Sequence, residues 1–226
     1  MRAWLAVGAA ALLLAAALAI EAPATLVDRR IEALTGGRVR IAGATGSVWR
    51  GSGELALLPD GVHTPITWRI DPMALLRGEV AASVDIADAS RPAELTIGTR
   101  GDFAAQNLAL TLPAAAALRA AGIPALLAAA GGTLVLEVAS LARRGDRLDG
   151  RVTLLWQAAT LPGPRAGTRI ALGDVRLEAA GSGPQMPATL ANSGGELDIA
   201  GKLVFTMRAM PQIDVHATPR AGIGAE

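Results

Sequence analysis

Two histidines, one lysine, no cysteine and twenty scattered carboxylates are what this sequence offers for chemistry. His63 lies in "DGVHTP", a turn context, and His216 alternates with Val215 in a late apolar run. A two-histidine metal site needs further ligands converging on both, and no H-x-x-x-H spacing is present. The absence of cysteine excludes thiolate metal sites, cysteine nucleophiles and disulfides. Ser182 has Ala180 where a G-x-S-x-G nucleophile elbow requires glycine. Lys202 is followed by leucine, so no phosphate-binding G-K-[S/T] run exists, and the "GSG" triplets at 51–53 and 181–183 lack the third glycine of a dinucleotide loop. Nothing in the spacing of the carboxylates singles out a pair for acid–base work. The chain reads as non-enzymatic, with no catalytic residue, no cofactor and no metal site.

The stretch with the most character is "GATGSVWRGSGEL", Gly43 to Leu55. Its glycines suit turns or bulges where the backbone needs positive φ or close approach. Two readings stand. Gly46, Ser47, Val48, Trp49 and Gly51 form a structural corner that folds the Trp49 indole onto an apolar face, or they form a docking surface anchored by Trp49. Two Arg-Gly-Asp triplets, at 100–102 and 144–146, match an adhesion tripeptide, but a Gly-Asp hairpin tip flanked by arginine supplies them without any partner.

These residues need elements to hold them. Apolar residues make up 51% of the 226 and charged residues 18%, which is enough for a core and argues against disorder. A net charge of +1 with 3% aromatics leaves neither a basic footprint nor stacking platforms for nucleic acid. Ala3 to Ile20 carries no charge and is just long enough to span a bilayer. Residues 1–22 are accordingly expected to form a transmembrane anchor that contacts membrane lipid. A cleaved signal peptide, with Ala-x-Ala sites ending at Ala19 and Ala24, and a core helix are the alternatives. Arg29, Arg30, Arg38 and Arg40 follow the segment, so the charge rule alone does not place the remainder outside the cytoplasm.

After a short helix at Val27–Leu34 the hydrophobic period becomes two. Ile66, Trp68 and Ile70 alternate with Thr67 and Arg69; Val80, Ala82, Val84 and Ile86 alternate with Ala81, Ser83 and Asp85. The rhythm recurs at Leu108–Leu112, Leu134–Val138, Val152–Trp156, Ile170–Leu177, Leu197–Ile199, Leu203–Met207 and Ile213–Val215. About ten strands, each with one apolar and one wet face, predict a mostly β fold: a large twisted or curled antiparallel sheet. Pro59-Asp60-Gly61 and Pro162-Gly163-Pro164 read as turns. Pro113 to Gly131, alanine-rich and divided by Pro124, reads as one or two short helices. The domain expected over 23–226 divides into two weakly similar halves, about 36–112 and 132–216. Each has a glycine-led strand, then a tryptophan strand (Trp68, Trp156), then a glycine-ended turn (Gly78, Gly173).

"GSVWRG", followed by "ITWRIDPMALLRGEV", "LPAAAALRAAGIPALLAAAGGTLVLEVASL", "LDGRVTLLWQAATL" and "GGELDIAGKLVFTMRAMPQIDVHATPRA", resembles the type II secretion system protein N family, also called general secretion pathway protein N. The resemblance covers most of the chain after the first segment and rests on the order of its Gly–Trp elements. It implies a single-pass inner-membrane protein with a periplasmic β-rich domain. It also implies a non-enzymatic role in protein secretion, scaffolding or docking partner subunits such as the secretin and the inner-membrane platform. The family supplies no catalytic residue to carry over; Gly46, Ser47, Val48, Trp49, Gly51, Trp68, Gly78 and Trp156 are its signature positions here. The chain stops soon after "PRAGIGAE", where a family member can run on through a further leucine-rich segment. A second outline fits the same pattern: a membrane-tethered sheet similar to AsmA-like lipid-transfer proteins, holding acyl chains on its apolar face. A freely soluble β protein is the third. Whether Leu108, Leu110, Leu134, Leu136, Val152 and Leu154 are capped or left open separates the first two.

Overall fold

The computed structural model describes residues 21–58, 62–87, 89–122, 129–165, 167–206 and 210–220. The alternating segments become twelve strands of one antiparallel sheet, and each strand pairs with its neighbours in sequence. They are β1 (Val39–Gly46), β2 (Arg50–Leu57), β3 (Val62–Asp71), β4 (Glu79–Ile86), β5 (Ala93–Gly98), β6 (Phe103–Pro113), β7 (Gly131–Arg144), β8 (Arg147–Pro162), β9 (Arg169–Gly183), β10 (Gln185–Ser193), β11 (Leu197–Thr206) and β12 (Gln212–Pro219). Among the described residues three helices accompany them: α1 (Thr25–Thr35), α2 (Pro72–Leu75) and α3 (Ala114–Ala120). The mostly β, antiparallel expectation with few short helices holds. Sequence alternation misses β5 and β10. It also splits β11 in two at Gly201, where the ladder in fact runs through unbroken.

The membrane-spanning part of the expected fold requires correction. Among the described residues no helix is long and apolar enough to cross a membrane. The longest, α1, has eleven residues and carries Asp28, Arg29, Arg30 and Glu32. At 1.5 Å per residue it extends about 16 Å, against a hydrocarbon core of about 30 Å. Residues 1–20, on which the anchor was placed, lie outside the described residues, as do Pro59-Asp60-Gly61, Pro124 and Met207. The single-pass inner-membrane placement that depended on a spanning helix falls with it.

Helix α1 packs across the start of the sheet: Val27 and Ile31 lie against Ile41, Ile66 and Trp68. It also seals the outer edge of β1. The Asp28 carboxylate accepts the Ile41 N–H at 2.7 Å, and the Thr35 hydroxyl accepts the Val39 N–H at 3.2 Å. Arg40 donates to Asp28 at 3.1 Å and lies 3.5 Å from Glu32. The hydrogen bond that Arg40 donates to Asp28, with the added charge of Glu32, raises the guanidinium's already high pKa. Two further apolar clusters line the second half, one on Leu148, Ala179, Met186 and Ala188, the other on Ala159, Leu172 and Val175. Bulges interrupt β1, β7 and β8, where they bend the strands and add twist. The sheet bends enough that α3 meets β2, and Arg38 donates to the Ala120 carbonyl at 3.3 Å.

Candidate functional site

The register turns the period-two pattern into one surface. Leu108, Leu110 and Leu112 of β6 stand opposite Val138, Leu136 and Leu134 of β7, and these opposite Val152, Leu154 and Trp156 of β8. The row continues through Ala179, Leu177 and Val175 of β9 to Ala188, Leu190 and Asn192 of β10. It ends on Leu203, Gly201 and Ile199 of β11 and Ile213, Val215 and Ala217 of β12. No charged residue occurs in it, and Asn192 is its single polar member. The opposite face carries Glu137, Thr153, Glu178, Thr189, Lys202 and Asp214 at the intervening positions.

Among the described residues, two short helices are the elements that pack on the sheet near the row. Helix α1 serves β1–β4, and α3 rests against β6 and β7. Among the described residues no second sheet lies over it. Of the six residues that decide the matter, Leu134 is buried, while Leu108, Leu110, Leu136, Val152 and Leu154 are half-buried. No large side chain of the described chain is fully buried. Val138, Val175, Ala179 and Ala188 are buried within the row as well, so its side chains pack along the sheet against one another, and among the described residues no second sheet closes a sandwich over them.

The Gly46–Gly51 corner is the β1–β2 turn. The Ser47 N–H donates to the Arg50 carbonyl at 2.8 Å and the Arg50 N–H to the Ser47 hydroxyl at 3.2 Å. The chain ahead of α1 clamps it: Val48 donates to Ala22 at 2.8 Å, and Ala24 to Gly46 at 3.2 Å. Gly46 sits at φ +89°, and a Cβ on Gly51 would run into the Trp68 ring that stacks over it. Here sequence and structure differ. The buried indole is Trp68, 6% exposed, whose Nε1–H donates to the Val48 carbonyl at 3.0 Å. Trp49 is half-buried and borders a wet-face cleft of about 560 Å³ with Arg50, Arg69, Asp71 and Glu94. Trp156 repeats the Trp68 arrangement, donating to the Gly131 carbonyl at 2.8 Å. Gly78 sits at φ +73° on the turn into β4, and Gly173 at φ +74° in β9.

Among the described residues, no three histidine or carboxylate side chains converge. His63 on β3 lies 3.2 Å from Glu54, and His216 on β12 lies 3.1 Å from Asp214. The two Arg-Gly-Asp triplets are neighbouring hairpin tips tied to each other. The Gly145 N–H donates to Asp102 at 2.8 Å, and Arg143 reaches the Gly101 carbonyl at 3.4 Å. Turn-to-turn bonding accounts for their composition.

Sequence reasoning passed over Asn192. It donates to the carbonyls of Leu172 at 2.6 Å and Leu197 at 2.8 Å, and accepts the Ile199 N–H at 2.7 Å. A polar residue in phase with Ala188 and Leu190 was the available signal. Asp28 and Thr35 were passed over as well, because nothing local shows that a helix side chain will cap a strand edge 13 or 4 residues on.

No curated protein and no solved structure matches this chain. One family model does, that of type II secretion system (T2SS), protein N, over residues 37–224. The matched span takes in every strand, both tryptophan–carbonyl contacts and the whole apolar row. The chain therefore belongs to the type II secretion system protein N family.

Proposed function

We propose that this chain serves the secretion machinery as a non-enzymatic binding component whose working surface is the apolar row, and that the row seats the acyl chain of a lipid. The observation that carries this is the face running from Leu108–Leu112 on β6 to Ile213–Ala217 on β12 without a charged side chain and, among the described residues, without a second sheet over it. An acyl chain has no polar groups to satisfy, and from β6 to β11 the sheet's backbone groups along the row are paired between neighbouring strands. An extended peptide would bring backbone N–H and C=O groups that this face cannot meet, whereas a helix satisfies its own. The half-burial of the leucines favours a thin occupant that slides between them over a broad one that must sit on top. Each methylene moved from water onto the row contributes about 0.8 kcal/mol.

The test is titration of a fluorescent fatty acid against the full chain and a Leu154→Glu variant. The proposal expects saturable binding to the wild type and at least a tenfold loss with Leu154→Glu, whose carboxylate lands mid-row. Equal binding by both would sink it.

A second reading, docking of partner subunits, is favoured by the corner. The family implies interaction with other secretion subunits. Trp49 sits at the mouth of a cleft flanked by Arg50, Arg69, Asp71 and Glu94, an aromatic anchor with a charged rim. The two surfaces lie on opposite faces of the sheet, so both readings can hold together. The division into related halves, about 36–112 and 132–216, is also proposed. It is supported by Trp68 and Trp156 making the same indole-to-carbonyl bond and by the left-handed glycines Gly78 and Gly173.

A further inference from the structure

The two edges of the sheet are treated differently. The β1 edge is closed by α1: its outward N–H groups at Val39 and Ile41 are taken by Thr35 and Asp28. At the other edge β12 is exposed along all eight residues, with Ile213 64% exposed, and no strand among the described residues pairs with its outer side. It has no bulge against β11 and no proline before Pro219. Natural sheets guard such an edge with inward charges, bulges or cover. Here the apolar face of the strand stays apolar to the edge.

We infer that β12 pairs with β12 of a second copy of this chain, antiparallel about a two-fold axis at Val215. The ladder fixes which groups are available. The Arg220 N–H donates to the Glu196 carbonyl across the β11–β12 pair. Alternation along an antiparallel ladder then turns the even-numbered residues inward to β11 and leaves Ile213, Val215 and Ala217 with N–H and C=O facing out.

Three registers keep the apolar faces together, centred on residues 214, 215 or 216. The register on Val215 uses all three outward residues on both strands, matching Val215 to Val215 and Ile213 to Ala217. The register on residue 214 matches Ala217 to Pro211, and the register on 216 matches Ile213 to Pro219; each proline lacks the N–H. Polar pairing selects the same answer. Centring on Val215 sets Asp214 directly opposite His216 of the second copy, twice, on the wet face. The other two oppose Asp214 to Asp214 or His216 to His216. An imidazole N–H opposite a carboxylate can donate to it across the strand pair, whereas two carboxylates directly opposite repel. His216 and Asp214 already lie 3.1 Å apart within one chain. The paired sheet has twenty-four strands, with the apolar row continuous across the axis and an α1-sealed edge at each end.

The chain contains no cysteine, which gives a clean background for the test. Full chains carrying Val215→Cys or Ile213→Cys are purified in detergent and oxidised. Hydrogen-bonded partners across a ladder have Cα atoms about 5.5 Å apart, within disulfide reach. Two copies of residue 213 would be about 14 Å apart, at about 3.4 Å per residue. The expected result is a disulfide dimer from Val215→Cys and at least tenfold less from Ile213→Cys. Light scattering of the unoxidised chain should give twice the monomer mass. Asp214→Lys should weaken the dimer tenfold or more, and Asp214→Lys with His216→Glu should restore it. Val215→Pro should give a monomer with unchanged far-ultraviolet dichroism, because the N–H it removes faces away from β11. A monomeric wild type, equal cross-linking at both positions, or a dimer indifferent to Val215→Pro would overturn the inference. So would a β12 that pairs only with another subunit.

Discussion

Replacing Trp68 by alanine is the sharpest test of how this sheet is held. The indole is 6% exposed, lies over Gly51 and joins the cluster of Ile41, Ile66, Val27 and Ile31 that fixes α1 to the sheet. Its N–H is also the partner of the Val48 carbonyl at 3.0 Å. Truncation of a buried tryptophan costs about 3–5 kcal/mol. For a chain of this size each kcal/mol lowers the midpoint by about 2–4 °C, so the melting temperature should fall by about 6–20 °C. Trp68→Phe keeps most of the ring and loses the hydrogen bond, and should cost about 1–2 kcal/mol. Trp49→Ala removes a half-buried ring at the corner's outer side and should cost less than Trp68→Ala. Urea unfolding followed by far-ultraviolet dichroism measures all three without relying on tryptophan emission. A Trp68→Ala midpoint within 1 kcal/mol of wild type, or a larger loss from Trp49→Ala, would refute the placement of the two rings.

Three further outcomes follow from the same geometry. Asp28→Ala strips the Ile41 N–H of its acceptor and should destabilise by about 1–3 kcal/mol, whereas Asp28→Asn keeps an acceptor and should retain most of it; amide exchange at Ile41 reads this directly. Asn192→Ala removes the acceptor of the Ile199 N–H and the donor to the Leu172, Gly194 and Leu197 carbonyls and should cost about 1–3 kcal/mol by urea unfolding, more than Asn192→Asp, which still accepts from Ile199. Gly51→Val drives a side chain into the Trp68 ring and should be at least as damaging as Trp68→Ala in thermal melts, while Gly145→Ala, with open space around its Cβ, should cost only its left-handed φ, about 1 kcal/mol.

Most of the sheet is legible before any coordinates, because one face of each strand is apolar and the other wet. Ile66, Trp68 and Ile70 announce β3, and Leu108, Leu110 and Leu112 announce β6. What hid β10 was Pro187, which argues against a central strand. It is tolerated because β10 pairs with β9 only from Ala188 onward, so its missing N–H faces no partner there. β5 is short and lies between turns. The corner misled for a physical reason. Glycine at 51 shows that something approaches closely, but which tryptophan fills the space depends on the β2–β3 register, which sets Gly51 against Trp68. Local spacing carries no such information. Nor does it show that α1 seals an edge, or that the tips at 100–102 and 144–146 bond to each other. The apolar row was visible strand by strand, but that the strands align it into one continuous surface is a property of the whole sheet's register. A hydrophobic run of eighteen residues suggested a spanning helix on length alone, and no described helix provides one.

The central claim is that the apolar row holds an acyl chain. Native mass spectrometry of the full chain, released gently from detergent, tests it most directly, with the bound species identified by fragmentation. A stoichiometric phospholipid or fatty acid on the wild type, lost with Leu154→Glu while the fold is retained, is the predicted result. A chain that retains no lipid, or retains it equally with a carboxylate placed mid-row, would contradict the claim and leave the Trp49 corner as the surface that works.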